Sequence, residues 1–256
     1  AHGVPVLVPT YAKDEFRLTV EELEKKVTPK TKAILIGYPN NPTGTIMDRA
    51  SLEKVAAFAK AHDLIVIADE IYCDLTYEGQ HTCFASLPDM QERTIVLNGF
   101  SKSYAMTGLR IGYVCAPREA LEEIYKVHQY EILCASTTSQ YGAIEALRNC
   151  DDDVKAMFEE YAARREMIYQ GLVDMGLTVF KPKGAFYIFP DISCTGMDEE
   201  EFCDRLLTEE KVGVVPGTCF GPQGKNHIRI SYAASRENIA EALKRMARFV
   251  KKYKKA

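Results

Sequence analysis

Three short apolar runs constrain this chain more than any other feature: Lys32-Ala33-Ile34-Leu35-Ile36, Leu64-Ile65-Val66-Ile67-Ala68 and Thr94-Ile95-Val96-Leu97. Continuous apolar runs of this length are the pattern of strands buried in a parallel sheet. Between the first two, Ser51–His62 places Leu52, Val55, Ala56 and Ala59 on one side and reads as a helix, with Asp48 as its cap. Strands alternating with helices predict an α/β fold, a mostly parallel sheet flanked by helices on both faces. Ligands of such sheets gather at the carboxyl ends of the strands. Asn41, Asp69 and Lys102 each follow one of these ends.

The remaining elements follow from the same reasoning. Val4–Val8 reads as a strand, and Thr19–Val27 as a helix with Thr19 and Glu22 forming a capping box. Ile111–Cys115 reads as a further strand. A long helical region runs from about Arg118 to Leu172, interrupted near Cys134–Thr138. After Gly176 the pattern becomes that of a smaller α+β C-terminal domain. Its predicted strands are Leu177–Phe180, Ala185–Phe189, Gly213–Val215 and His227–Ser231, and its helices are Asp198–Glu209 and Arg236–Lys251. The division expected is a large domain over 1–135, a connecting helix over 136–175 and a small domain over 176–256. The chain starts Ala1-His2-Gly3-Val4, without an initiator methionine and directly at a strand-like run, so an N-terminal part is expected to be missing.

Size and charge narrow the function classes. The chain has 256 residues, 46% of them apolar and 27% charged, as in ordinary globular proteins. A formal charge of -4 leaves no basic surface for nucleic acid. The basic end, Lys251-Lys252-Tyr253-Lys254-Lys255, reads as the solvated last turn of a helix. No apolar stretch is long enough to span a bilayer, and no secretory signal is visible. Eight scattered cysteines without a CxxC read as reduced thiols of a cytoplasmic protein.

Lys102 carries the chemistry. It follows an apolar strand and sits in Asn98-Gly99-Phe100-Ser101-Lys102-Ser103-Tyr104-Ala105-Met106-Thr107-Gly108-Leu109-Arg110. An amine able to form an imine, with a fixed cation able to hold a phosphate, points to pyridoxal 5'-phosphate. That group needs a lysine for its aldehyde, a carboxylate for its ring nitrogen, donors for its ring hydroxylate and cations for its phosphate. Lys102 meets the first need and Asp69 the second. Asn41 and Tyr72 can donate to the ring oxygen, while Ser101 and Arg110 suit the phosphate. Singly, Asp69 reads as a strand-end cap, Asn41 as a turn residue, Tyr72 as packing and Arg229 as half of an ion pair. Their order along one chain gives them a joint meaning.

Tyr38-Pro39-Asn40-Asn41-Pro42-Thr43-Gly44, Ala68-Asp69-Glu70-Ile71-Tyr72 and Ser101 through Gly112 resemble the signature segments of class I/II aminotransferases, which are fold-type I pyridoxal-phosphate enzymes. A fourth match is Asn226-His227-Ile228-Arg229-Ile230-Ser231, where the family has the arginine that binds the substrate's α-carboxylate. Gly184-Ala185-Phe186-Tyr187 and Val215 through Gly221 resemble the family's small-domain segments near the active site. The resemblance implies ping-pong transfer of an amino group between an amino acid and a 2-oxo acid through a Lys102 Schiff base. It implies Lys102, Asp69 and Tyr72 as catalytic residues. Cofactor binding falls to Asn41, Asp69, Tyr72, Ser101, Lys102 and Arg110, and substrate binding to Arg229 and Asn41. A homodimer of the full-length protein is implied as well.

Two departures accompany it. Gly99 stands where many relatives have a phosphate-binding serine, and Leu109 where many have tryptophan. The family's glycine-rich phosphate loop and its ring-stacking aromatic precede the strand at which this chain starts. The chain as given is therefore expected to bind the cofactor weakly and to catalyse poorly. The same motifs serve a carbon–sulfur β-lyase of the cystathionine type, and a truncated homologue acting as a non-catalytic interaction module is a third reading. No metal site is expected: His2, His62, His81, His128 and His227 lack ligand spacing. Ser51-Leu52-Glu53-Lys54 lies on an amphipathic helix without companion motifs. Cys219 through Lys225 lacks the first glycine of a phosphate loop and is followed by Asn226.

Overall fold

The computed structural model describes residues 3–254; Ala1, His2, Lys255 and Ala256 lie outside the described residues. The described residues form two compact units, one of residues 3–10, 17–39 and 46–157, the other of residues 11–16, 40–45 and 158–254.

The first unit holds α1 (Val20–Glu24), β1 (Ala33–Gly37), α2 (Arg49–Ala61), β2 (Ile65–Asp69), β3 (Thr94–Gly99), β4 (Gly112–Cys115), α3 (Arg118–Glu131), α4 (Thr137–Asn149) and the start of α5 (Asp151–Asp174). Its sheet has the order β1-β2-β3-β4, with β1, β2 and β3 parallel and β4 antiparallel to β3. The fold is thus a mostly parallel sheet flanked by helices, as predicted. Asp48 caps α2, its side chain accepting from Ser51 N at 2.7 Å. Ile34, Ile36, Val66 and Ala68 pack on Leu52, Val55, Ala56, Phe58 and Ala59 of α2, with Phe84 and Met90 closing the core.

Several predicted features differ. β1 and β2 are not buried on both faces, because Leu35 is 72% and Ile65 44% exposed on the face away from α2. Val4–Val8 forms no strand; Val4 through Leu7 lie exposed and only Val8 packs, half-buried, against the core. Pro5 and Pro9 lack the N–H that a ladder needs, and the segment pairs with no strand among the described residues. Thr19 occupies the N-cap of α1 without a side-chain bond to the helix N–H groups, and Glu22 turns instead to Lys25 at 2.6 Å, so the capping box does not form. The helical region past residue 118 is broken twice, the second time at Cys150 between α4 and α5.

The second unit holds the rest of α5, β5 (Tyr187–Ile188), α6 (Glu199–Glu210), β6 (Val215–Pro216), β7 (Ile228–Ser231) and α7 (Arg236–Tyr253). Its small antiparallel sheet has the order β5-β7-β6. Leu177–Phe180 is reduced to a single bridge between Thr178 and Asp191. β5 is shorter than the apolar run that predicted it, because Ala185 adopts a left-handed φ of 56° and Pro190 follows closely. Arg165 is buried and donates through Nε to the carbonyl of Pro182, fixing the turn that precedes β5.

Glu160 ties α5 to α7. It accepts from Arg236 Nε at 3.1 Å and from Arg164 Nε at 2.8 Å. These two guanidinium groups, Arg236 first, hold its carboxyl at about 2, below its ordinary 4.5. A lowered carboxylate stabilises the fold fully above about 4.5, and its contribution fades as pH falls towards 2. Glu160→Gln should therefore melt below the wild type at neutral pH, with the gap closing in acid. A gap that stays constant over the acid range would show that the pair does not set stability.

Candidate active site

The first unit brings together five of the expected residues. The parallel register pairs Gly37 with Asp69 and Asp69 with Leu97, so β2 and β3 end at nearly the same level. Asp69 closes β2 half-buried, and its Oδ1 accepts from Ile71 N at 3.2 Å, an Asx-type turn that aims the carboxylate. The chain then turns tightly, with Cys73 N bonded to Glu70 O and Leu75 N to Tyr72 O, which buries Tyr72. Lys102 follows β3, and its Nζ lies 5.7 Å from the centre of the Tyr72 ring.

The loop from Phe100 to Ile111 folds back on itself. Met106 N bonds Phe100 O, Phe100 N bonds Ile111 O, and Thr107 Oγ1 donates to Ser101 O at 2.7 Å. Arg110 closes the loop in left-handed backbone, φ 51° and ψ 53°, and its Nη1 donates to Thr107 O at 2.9 Å. Among the described residues no carboxylate lies within ion-pair distance of Arg110. Its guanidinium, rich in donors, therefore suits a phosphate.

Neighbouring groups brace this end of the sheet. Glu70 is buried and accepts from Phe84 N at 2.8 Å, with His81 Nε2 at 2.9 Å. Asn98 Nδ2 reaches Cys73 Sγ at 3.3 Å, and burial pushes that thiol up to about 11, which keeps it protonated.

The second unit holds Asn41 and Arg229. Arg229 lies on β7, the central strand of its sheet, and Nη1 donates to Asn41 Oδ1 at 3.0 Å. The guanidinium lies 4.8 Å from the ring centres of both Tyr187 and Phe220. Arg229 Nε is buried without a hydrogen-bond partner. A cation stacked on two rings, bonded to a neutral amide and left with an unpaired donor is suited to a carboxylate.

Loop 40–45, which carries Asn41, is fixed by its own backbone. Asn40 N bonds Thr45 O at 2.8 Å, Gly44 N bonds Asn40 O at 2.9 Å, and Gly44 O accepts from both Lys183 N and Gly184 N. The sequence reading missed Tyr187 and Phe220, which lie in segments it singled out but to which it gave no role. It also missed Thr107, whose place inside the lysine segment was the available signal.

Known proteins resemble this chain over nearly all of its length. The sequence pattern of the family described as Aminotransferase class I and II matches residues 1–246. This chain belongs to the class I and II aminotransferases. It is 49% identical over 252 residues to the putative aminotransferase YugH of Bacillus subtilis, covering 98% of this chain and 65% of that protein. It is 47% identical to aromatic-amino-acid aminotransferase 2 of Thermococcus litoralis, covering 99% of this chain and 66% of that one. The solved structure of an aromatic aminotransferase from Pyrococcus horikoshii OT3 superposes with a TM-score of 0.95 at 47% identity, covering 97% of this chain and 67% of that chain. The chain thus spans about two thirds of the length of the curated relatives it matches. Members of the family use pyridoxal 5'-phosphate.

Gly44 is a sharp test of the loop. Its φ is +70°, and a Cβ there would come within 2.3 Å of Pro182 Cβ and 2.7 Å of Tyr187 O. Gly44→Ala should cost about 2–4 kcal/mol in chemical denaturation, from left-handed strain and overpacking together. A loss below about 1 kcal/mol would mean that the loop relaxes freely.

Proposed function

We propose that this chain carries the reacting lysine and the carboxylate receptor of a pyridoxal-phosphate-dependent aminotransferase, which moves an amino group between an amino acid and a 2-oxo acid. The observation that carries the reading is Arg229, with its stacked guanidinium, neutral Asn41 partner and orphaned Nε. An amino acid and a 2-oxo acid share the α-carboxylate that such a group binds with a bidentate fork.

Pyridoxal phosphate, when bound, supplies an electron sink for charge at the substrate's Cα. The chain's own residues supply the rest. Lys102 Nζ is the amine that would meet the cofactor aldehyde, and as a free amine it would accept the proton from the substrate's Cα. The Tyr72 ring beside Nζ restricts where that amine can swing. Asp69, aimed by the Ile71 amide, is the carboxyl partner for the ring nitrogen. Tyr72 and Asn41 are the donors proposed for the ring oxygen, and Ser101 and Arg110 hold the phosphate. The loop bonds through Thr107 keep Ser101 and Arg110 in one rigid piece.

The names of the relatives suggest substrates of the aromatic or aspartate kind. A cytoplasmic setting and a homodimer belong to the same proposal. Eight free cysteines support the first, and exposed Tyr125, Tyr130 and Leu133 on and just after α3 support the second.

Lys102→Ala should abolish both transamination and the absorbance change on adding pyridoxal phosphate; turnover that survives the substitution would refute the assignment. Arg229→Ala should raise KM for the amino acid roughly tenfold to a hundredfold, the worth of a charged hydrogen bond, with a smaller change in kcat. An unchanged KM would remove Arg229 from the carboxylate site.

A further inference from the structure

We propose that Ser139, on α4, is the positioning residue that sets the Arg110 guanidinium for a phosphate group; this rests on the cofactor reading above. Ser139 is 3% exposed, and its Oγ donates to the carbonyl of Leu109 at 2.6 Å. A helical serine commonly bonds back to a carbonyl one turn earlier. This one reaches across 30 residues instead.

The carbonyl it holds shares a rigid peptide plane with the N–H of Arg110. Fixing Leu109 O therefore fixes the plane from which the Arg110 backbone departs. That backbone is left-handed, φ 51° and ψ 53°, a region that residues other than glycine rarely adopt unless their surroundings impose it.

Helix α4 is a firm platform for the bond. Its Ala143 and Ala146 pack on Phe100, with Tyr104, Met106 and Ile111 around them. A Cβ at Gly142 would meet Met106 Cε at 3.4 Å and Leu109 Cδ1 at 3.5 Å, so this helix lies close against the loop. Arg110 is thus held at two points, at its backbone through Ser139 and at Nη1 through the Thr107 carbonyl. The remaining guanidinium donors are left for an anion. Nothing in the sequence of α4 marks this role, which falls to a small polar residue within a run of similar ones.

The test compares two aldehydes that differ only in the phosphate, pyridoxal phosphate and pyridoxal, titrated by absorbance into the wild-type chain, Ser139→Ala, Ser139→Thr and Ser139→Cys. Ser139→Ala should lose roughly three- to tenfold in affinity for pyridoxal phosphate, the net worth of one hydrogen bond, with no change for pyridoxal. Ser139→Thr, which keeps the hydroxyl, should restore the wild-type ratio. Ser139→Cys keeps a side-chain donor of the same connectivity, weaker and somewhat larger; it should fall between, and it supplies the comparison if the alanine variant does not fold. Equal losses for both aldehydes, or none for either, would overturn the role of Ser139. A wild-type chain that binds pyridoxal phosphate no more tightly than pyridoxal would overturn the phosphate site itself. That result is visible before any variant is made, so it is distinct from a failure of Ser139 alone.

Discussion

Parallel register is the constraint on which the first unit depends. Pairing Gly37 with Asp69 and Asp69 with Leu97 brings the ends of β1, β2 and β3 level. Whatever follows each strand then emerges on one edge of the sheet, which is how residues far apart in sequence come within reach of each other. Tyr72 meets Lys102 Nζ at 5.7 Å because both leave that edge within a few residues of their strands. The register in turn rests on the alternating burial of Ile34, Ile36, Val66 and Ala68 against α2, since a slip of either strand by one residue would expose its two.

The second unit fixes its functional side chains by a different device. Arg229 occupies the central strand of a short sheet, with Tyr187 on one neighbouring strand and Phe220 just beyond the other. Loop 40–45 belongs to this unit by its contacts, although it follows β1 in the chain. Its backbone is closed by Asn40, Thr45 and Gly44 and then bonded to Lys183 and Gly184. Buried Arg165 holds the carbonyl of Pro182 next to those residues. Asn41 is thereby fixed by groups that sequence distance alone would not associate with it.

What could be read from the sequence follows the range of the interaction. The positions of β1, β2 and β3, to within one or two residues at their ends, and the Asp48 cap depend on local apolar runs and caps, and they were legible. The Thr19–Glu22 box was local too, yet it failed because Lys25 offered Glu22 an opposite charge at 2.6 Å. Val4–Val8 had the composition of a strand, but a strand needs a partner and free N–H groups; Pro5 removes one of them and Pro9 follows directly. The candidate site divides in the same way. Lys102, Asp69 and Arg110 stand out by motif, whereas Ser139, Tyr187 and Phe220 act only through contacts made 30 or more residues away or across strands.

The arginines separate structure from function by what satisfies them. Arg236 and Arg164 share the carboxylate of Glu160, and Arg205 reaches both Glu201 and Glu209. Such charges are neutralised within the fold and ask nothing of a ligand. Arg110 and Arg229 are treated otherwise. Each meets a neutral oxygen, the Thr107 carbonyl or the Asn41 amide, which orients a guanidinium without cancelling its charge. Holding Arg229 in this state costs desolvation at its buried Nε, and holding Arg110 costs an unfavourable backbone conformation. A fold that neutralises Arg164, Arg205 and Arg236 with carboxylates bears that cost where an anion can complete the pairing. A phosphate for Arg110 and a carboxylate for Arg229 are the two anions that their geometries fit.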